Sequence, residues 1–196
     1  MIDLMPRVYL DFDNVLADTT SSMLKHARER YGVVSSLKNI TKYDVDEVLG
    51  ISKSQMWKCF HLAWDNIETL KPIDSYAPVA IETLQKNDYT VEILTGCGQN
   101  IVEGWLDYYG YPSLKVTYVK DGIKVGTKGD IIIDDNPKHI EYAAVTDRLP
   151  IVFTRPWNKD WMLDYYERID NFHELFGAVD IYYQTLKEFF YDNSSI

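Results

Sequence analysis

Apolar residues in this chain fall into two alternating patterns, short continuous runs and longer stretches with three-and-four spacing. Residues 8–12 (Val-Tyr-Leu-Asp-Phe) form a β-branched and aromatic run that reads as a buried strand. Similar runs return at 90–95, 115–119, 130–133 and 149–153, bounded by glycine, proline or acidic residues. Helical patterns occupy 79–86, 100–109 and 137–144, and an aromatic one at 172–191 closes the chain. Strands that are apolar throughout and alternate with helices predict a parallel sheet covered on both faces, since neither face can be left to water.

One interval breaks the alternation. Between residues 19 and 72 there are helical patterns and no convincing strand. Thr19-Thr20-Ser21-Ser22 offer N-cap residues, residues 23–31 have helix-forming composition, and Gly32 ends them. Residues 52–64 place Met56, Trp57, Phe60 and Trp64 at helical spacings. The expected fold is therefore α/β: a three-layer, Rossmann-like parallel sheet with helices on both faces and a small helical cap inserted after the first strand. The expected boundaries are 1–18 and 73–196 for the core and 19–72 for the cap.

Composition narrows the partners. The chain has 196 residues, 46% of them hydrophobic and 14% aromatic, enough for a substantial core. A formal net charge of −10 argues against a nucleic-acid polymer, whose phosphates require lysine and arginine, but allows a single nucleotide held by a metal and one lysine. Cys59 and Cys97 form no CxxC pair and read as reduced thiols. The first seven residues carry no basic, long apolar leader, and no run approaches membrane-spanning length. A cytoplasmic protein without membrane attachment is expected.

Candidate chemistry collects at strand ends. The first strand ends in Asp11 and Asp13, with Asp18 just beyond; the second ends in Thr95-Gly96; the fourth ends in Asp134-Asp135. A parallel sheet brings its carboxyl ends to one rim, where ligands of open α/β sheets bind. Carboxylates gathered there repel one another unless a positive charge sits among them, and Mg²⁺ takes such hard oxygen ligands together with substrate phosphate. No zinc-like His/Cys spacing occurs, and His26, His61, His139 and His173 read as surface or packing residues. With phosphate and metal assumed, one carboxylate can attack phosphorus, a second can move the proton, and a hydroxyl, backbone N–H groups and a lysine can hold the phosphoryl oxygens.

The order Asp11-Phe12-Asp13-Asn14-Val15, a strand ending in Thr95, a lysine, then Ile131-Ile132-Ile133-Asp134-Asp135-Asn136-Pro137 resembles the haloacid dehalogenase-like phosphohydrolases, most of all their 5′(3′)-deoxyribonucleotidase branch. The resemblance spans roughly residues 8–158, with specific motifs in only about thirty of them. It implies a Mg²⁺-dependent hydrolase of a (deoxy)nucleoside monophosphate. Asp11 is then nucleophile and metal ligand, and Asp13 is acid/base with its backbone carbonyl on the metal. Thr95 and Gly96 bind phosphate, Lys124 (with Lys128, then Lys120, as alternatives) is the phosphate lysine, and Asp134 and Asp135 complete the metal site. Two positions depart from the pattern: Asn14 replaces a usual glycine, and Thr19 replaces an aromatic that helps enclose the base.

Several alternatives stay open at the level of sequence. Trp57, Phe60 and Trp64 read first as core of the insertion and second as base-stacking residues, Trp57 and Trp64 being the substrate-binding candidates. Trp157-Asn158 is similar to a family segment and equally reads as a loop anchor. The closing aromatic helix is core or a homodimer surface. The substrate could instead be another small phosphometabolite, or the protein a silent nucleotide- or phosphate-binding one.

Overall fold

The computed structural model describes residues 6–119, 131–146, 148–162 and 166–191, with side chains described through 184. Lys120, Lys124, Lys128 and Asp130 lie outside the described residues. Six parallel strands form one sheet in the order β3-β2-β1-β4-β5-β6. They are β1 (Arg7–Leu10), β2 (Thr90–Thr95), β3 (Lys115–Tyr118), β4 (Ile131–Asp134), β5 (Leu149–Phe153) and β6 (Glu167–Ile169). The fold is the expected Rossmann-like α/β sandwich. Strand order reverses between β1 and β4, so the crevice at their carboxyl ends is where such sheets bind ligands.

Alternation along each strand sends side chains to two helical layers. Val8, Leu10, Val91, Ile93, Ile131, Ile133, Ile151 and Phe153 face one layer. There they pack against α4 (Ala77–Lys86), α5 (Gln99–Tyr108) and α7 (Leu175–Tyr191). Tyr9, Leu94 and Ile132 face the other layer and meet Ala143 of α6 (Pro137–Val145). Leu175, Ala178 and Val179 bury one stripe of α7 in the main core, so of its two readings the core one holds for those residues.

The region 19–72 contains α1 (Thr19–Tyr31), a 3₁₀ turn at Leu37–Asn39, α2 (Val45–Leu49) and α3 (Lys53–Trp64). α3 starts with a reciprocal capping box, the Gln55 N–H donating to Ser52 Oγ and the Ser52 N–H to Gln55 Oε1. Met23, Leu24, Ala27, Ile40, Val45 and Cys59 make a second small core, joined by Trp157 from the loop after β5. Thr19-Thr20-Ser21-Ser22 lie within the first turn of α1 instead of capping it; Asp18 occupies the N-cap position and makes no side-chain cap bond. Gly32, left-handed at φ 68°, ends that helix as expected.

Where this segment leaves and rejoins the sheet, the backbone is stitched. The Asp18 N–H donates to the Lys71 carbonyl (2.8 Å), and the Ile73 N–H donates to the Leu16 carbonyl (2.9 Å). Trp105 of α5 braces the junction from below. Its indole N–H donates to the Leu70 carbonyl at 2.6 Å, and its ring meets the edge of Phe12 at 5.2 Å between centroids. Trp105 is wholly buried whereas Trp57 is half exposed. Trp105→Ala should therefore destabilise the protein by about 3–5 kcal/mol and Trp57→Ala by less than about 1 kcal/mol, as read from urea midpoints.

Candidate active site

β1 continues in line past its last residue, the Asp11 N–H donating to the Ile133 carbonyl at 2.9 Å. Leu10 is in register with Ile133, so Asp11 falls opposite Asp134 at the carboxyl rim. The ligand atoms of Asp11, Asp134 and His139 lie within 4.8 Å of one another. Asp11 is 7% exposed and Asp134 not at all. Two buried carboxylates this close oppose each other's ionisation, and the local backbone supplies donors against that. The Phe12 N–H donates to Asp11 Oδ1 (2.6 Å) and the Asn136 N–H to Asp134 Oδ1 (2.9 Å). His139 Nδ1 pairs with Asp134 Oδ2 at 2.9 Å.

His139 belongs to this site, contrary to its reading as a surface or packing residue. One turn into α6, it follows the Asn136-Pro137 start of that helix, where Asn136 Oδ1 accepts the Lys138 N–H at 3.0 Å. A helix starting directly after the paired acids points its first turn back at them, which was the available signal.

Asp135 is held from the opposite side. The Trp157 indole donates to its Oδ2 at 3.0 Å, and Asn158 Nδ2 donates to its backbone carbonyl at 2.8 Å and to that of Phe153 at 2.9 Å. Trp157-Asn158 is thus a loop anchor whose load is an acid of the site. Asp18, the third acid of the opening cluster, turns away to Arg155, 3.3 Å from its guanidinium. Burial pulls the Arg155 pKa down, and the charges of Asp18 and Asp135 oppose that shift.

Asp13 is oriented mainly by the inserted helices. The Thr19 hydroxyl donates to Asp13 Oδ1 at 2.6 Å and the Trp64 indole N–H to the same oxygen at 2.8 Å. Asn14 makes the turn that permits this. Its φ of +59° is left-handed, a conformation asparagine tolerates better than most residues. Its Oδ1 also accepts the Thr20 N–H at 2.9 Å, covering a first-turn donor of α1 that Asp18 leaves without a cap. Both departures from the family pattern are therefore structural parts of the same turn.

Thr95 and Gly96 sit beside these acids at the end of β2. Gly96 is exposed and lines the cavity, whereas Thr95 is wholly buried and its hydroxyl oxygen accepts the Cys97 N–H at 2.9 Å. Burial, and behind it the charge of Asp13, push the Cys97 thiol up, so it stays protonated and unreactive. The lysine expected at 124 lies outside the described residues.

A cavity of about 540 Å³ opens over this rim. Asp11, Asp13, Gly96, Asp135 and His139 form its floor. Its opposite wall comes from the inserted segment and includes Tyr43, Asp46, Lys53, Trp57 and Trp64. The rings of Trp57, Phe60 and Trp64 lie within 6.4 Å of one another, an aromatic panel on α3. Trp57 thus stands on the cavity wall, while Trp64 is both buried and bonded to Asp13. Tyr43 was not foreseen as a site residue. Tyr43 is 41% exposed as a whole, yet desolvation on its cavity side, then the charges of Asp135, Asp134, Asp11 and Asp13, raise its pKa, so its hydroxyl stays neutral.

The family model for "5' nucleotidase, deoxy (Pyrimidine), cytosolic type C protein" matches residues 5–182. The chain belongs to this family. It is accordingly a phosphoric monoester hydrolase of the nucleotidase branch. Solved structures share its fold at low identity. A haloacid dehalogenase-like hydrolase (family IA, variant 3) from Entamoeba histolytica is 16% identical over 91% of this chain and 99% of its own, with a TM-score of 0.55. A haloacid dehalogenase-like family hydrolase from Streptococcus pneumoniae is 14% identical over 89% and 98%, with a TM-score of 0.62. A predicted phosphatase from Clostridium acetobutylicum is 12% identical over 90% and 98%, with a TM-score of 0.64. No curated protein matches the chain significantly. Among the described residues, no helix is long and apolar enough to cross a membrane.

The turn at Asn14 can be tested on its own. Asn14→Ala combines left-handed strain with loss of the bond to Thr20 and should cost about 2 kcal/mol. Asn14→Gly removes only the bond and should cost less, so thermal midpoints should run wild type, then glycine, then alanine.

Proposed function

We propose that this nucleotidase-family enzyme hydrolyses a deoxynucleoside monophosphate to nucleoside and phosphate in the cavity between the sheet rim and the segment 19–72, which serves as its cap. The observation that carries the reading is the Asp11–Asp134 pair at the switch point, with Asp13 beside it and an aromatic wall opposite. Phosphate chemistry needs the carboxylates, and a nucleobase needs the aromatic surface. The pyrimidine in the family's description agrees with a nucleotide of this size.

A divalent cation fits the donor set. Asp11 and Asp134 offer hard carboxylate oxygens within 4.8 Å of each other, and with Asp135 and the Asp13 carbonyl they would hold Mg²⁺. Once bound, the cation neutralises and orients the phosphoryl oxygens. His139 keeps Asp134 turned toward the site through its Nδ1 contact.

The chain's own groups then divide the reaction. An Asp11 carboxylate oxygen attacks phosphorus, the P–O bond to the nucleoside breaks, and Asp13 gives its proton to the departing oxygen. An aspartyl-phosphate remains on Asp11. Water next attacks phosphorus and gives its proton to Asp13, the Asp11–phosphate bond breaks, and phosphate leaves. Backbone N–H groups around Gly96 and the Tyr43 hydroxyl, both on the cavity lining, would donate to phosphoryl oxygens. Thr19 and Trp64 hold the Asp13 carboxyl in position through both steps.

In a panel of phosphate monoesters with Mg²⁺, deoxynucleotides should be the best substrates and Asp11→Asn should lose at least a thousandfold in kcat while melting as a folded protein. Chelation should abolish turnover and Mg²⁺ restore it. Near-normal turnover by Asp11→Asn would refute the mechanism. A preference for sugar phosphates over every deoxynucleotide would refute the substrate, and binding without turnover would indicate a silent binding protein. Thr19→Val keeps the shape and deletes only the hydroxyl. It should lower kcat roughly tenfold to a hundredfold through misplacement of Asp13, with KM changing less than about threefold.

A further inference from the structure

Among the described residues, His139 is the one side chain at the rim that can offer a neutral nitrogen lone pair. Its ligand atom lies within 4.8 Å of those of Asp11 and Asp134, and the residue lines the cavity. The start of α6 holds it there. Pro137 opens that helix, the His139 N–H donates to the Asn136 carbonyl at 3.0 Å, and wholly buried Ile140 anchors the next position in the core. Orienting Asp134 does not by itself call for an imidazole, because the Asn136 N–H already donates to Asp134 Oδ1 at 2.9 Å.

The spacing at this corner also suits a coordination shell. Divalent cations hold carboxylate oxygens and imidazole nitrogens at about 2.0–2.1 Å, so two ligands at right angles stand about 3.0 Å apart. His139 Nδ1 and Asp134 Oδ2 are 2.9 Å apart. Nδ1 therefore has two uses: it donates a proton to Asp134, or, with its proton on Nε2 instead, it turns a lone pair to a cation shared with that oxygen. We infer that His139 is a direct nitrogen ligand of the cation through Nδ1, so that one imidazole joins the carboxylates of Asp11 and Asp134; this rests on the cation site of the nucleotidase reading. A donor set of this kind suits Mn²⁺ and other first-row transition cations better than oxygen ligands alone do. The cofactor class thereby widens from Mg²⁺ to Mn²⁺.

The test is cation binding by the intact protein without substrate. Calorimetry gives Mn²⁺ and Mg²⁺ affinities for wild type, His139→Ala and His139→Asn, and pulsed electron paramagnetic resonance reads nitrogen coupling to bound Mn²⁺. Asparagine is informative because its amide N–H can still donate to Asp134, whereas its nitrogen has no lone pair to give a cation. Wild type should show coupling to one directly bound nitrogen, altered by labelling histidine with ¹⁵N. Both variants should lose that coupling and bind Mn²⁺ at least about tenfold more weakly. Mg²⁺ readily keeps water in a vacated position, so its affinity should fall less than about threefold.

A residue that only orients Asp134 would give no direct nitrogen coupling in wild type, and His139→Asn would bind both cations as wild type does. Either result overturns the inference. Should both variants fail to fold, the wild-type spectrum decides alone. Deoxynucleotide hydrolysis, assayed separately with each cation, keeps the two readings apart. Turnover without nitrogen coupling removes the His139 ligand and leaves the nucleotidase reading standing. Nitrogen coupling without turnover of any deoxynucleotide upholds the ligand and overturns that reading.

Discussion

The constraint on which this structure depends is the meeting of like charges at the rim of β1 and β4. Register sets Asp11 opposite Asp134 in a place that water hardly reaches. The fold can hold them there only by surrounding them with donors: the Phe12 and Asn136 N–H groups, His139, and the indole of Trp157 on neighbouring Asp135. Each donor comes from a segment that a strand end launches. The loops at this rim are therefore shaped by electrostatics first and by connection second. A site that gathers negative charge under such restraint is prepared for a cation and a phosphate, because both relieve the repulsion that the fold itself maintains.

The same constraint explains how the inserted segment is coupled to the sheet. Asp13 belongs to the loop after β1, yet its Oδ1 accepts from Thr19 at the start of α1 and from Trp64 at the end of α3. Backbone bonds at Asp18 and Ile73 close the neck, and Trp105 pins Leu70 beneath it. A displacement of α3 would be felt at Asp13 through Trp64. The position of the inserted helices and the orientation of the Asp13 carboxylate are consequently one mechanical variable.

Much of this was legible in the sequence, and what was not has physical reasons. β2 and β5 fall on the runs that predicted them, because strands buried on both faces leave long apolar signatures. β6 was missed: Glu167-Arg168-Ile169 is a three-residue edge strand whose polar members give no such signature. Asp11, Asp13, Thr95, Gly96, Asp134 and Asp135 were named as candidates because each ends or follows an apolar strand, and the parallel topology does bring those ends to one rim. His139 carried one signal, its place in the helix that starts directly after the paired acids, and it was passed over. Tyr43 carried none: its relation to the site depends on how the inserted loop packs, and no spacing in the chain encodes its approach to a strand end. Trp57 shows the opposite difficulty, since a helical stripe looks the same whether it faces a core or a cavity.

Asn14 and Thr19 were first noticed as departures, and in the structure they are linked. An asparagine at a left-handed position keeps a side chain that a glycine would lack, and that side chain completes the start of α1. The completed turn in turn places Thr19 within 2.6 Å of Asp13, wholly buried and committed to that bond. A residue so committed cannot also enclose a base. From the inserted segment, the aromatic panel of α3 and residues 43–46 reach the cavity instead. The first helical turn has been given over to orienting Asp13.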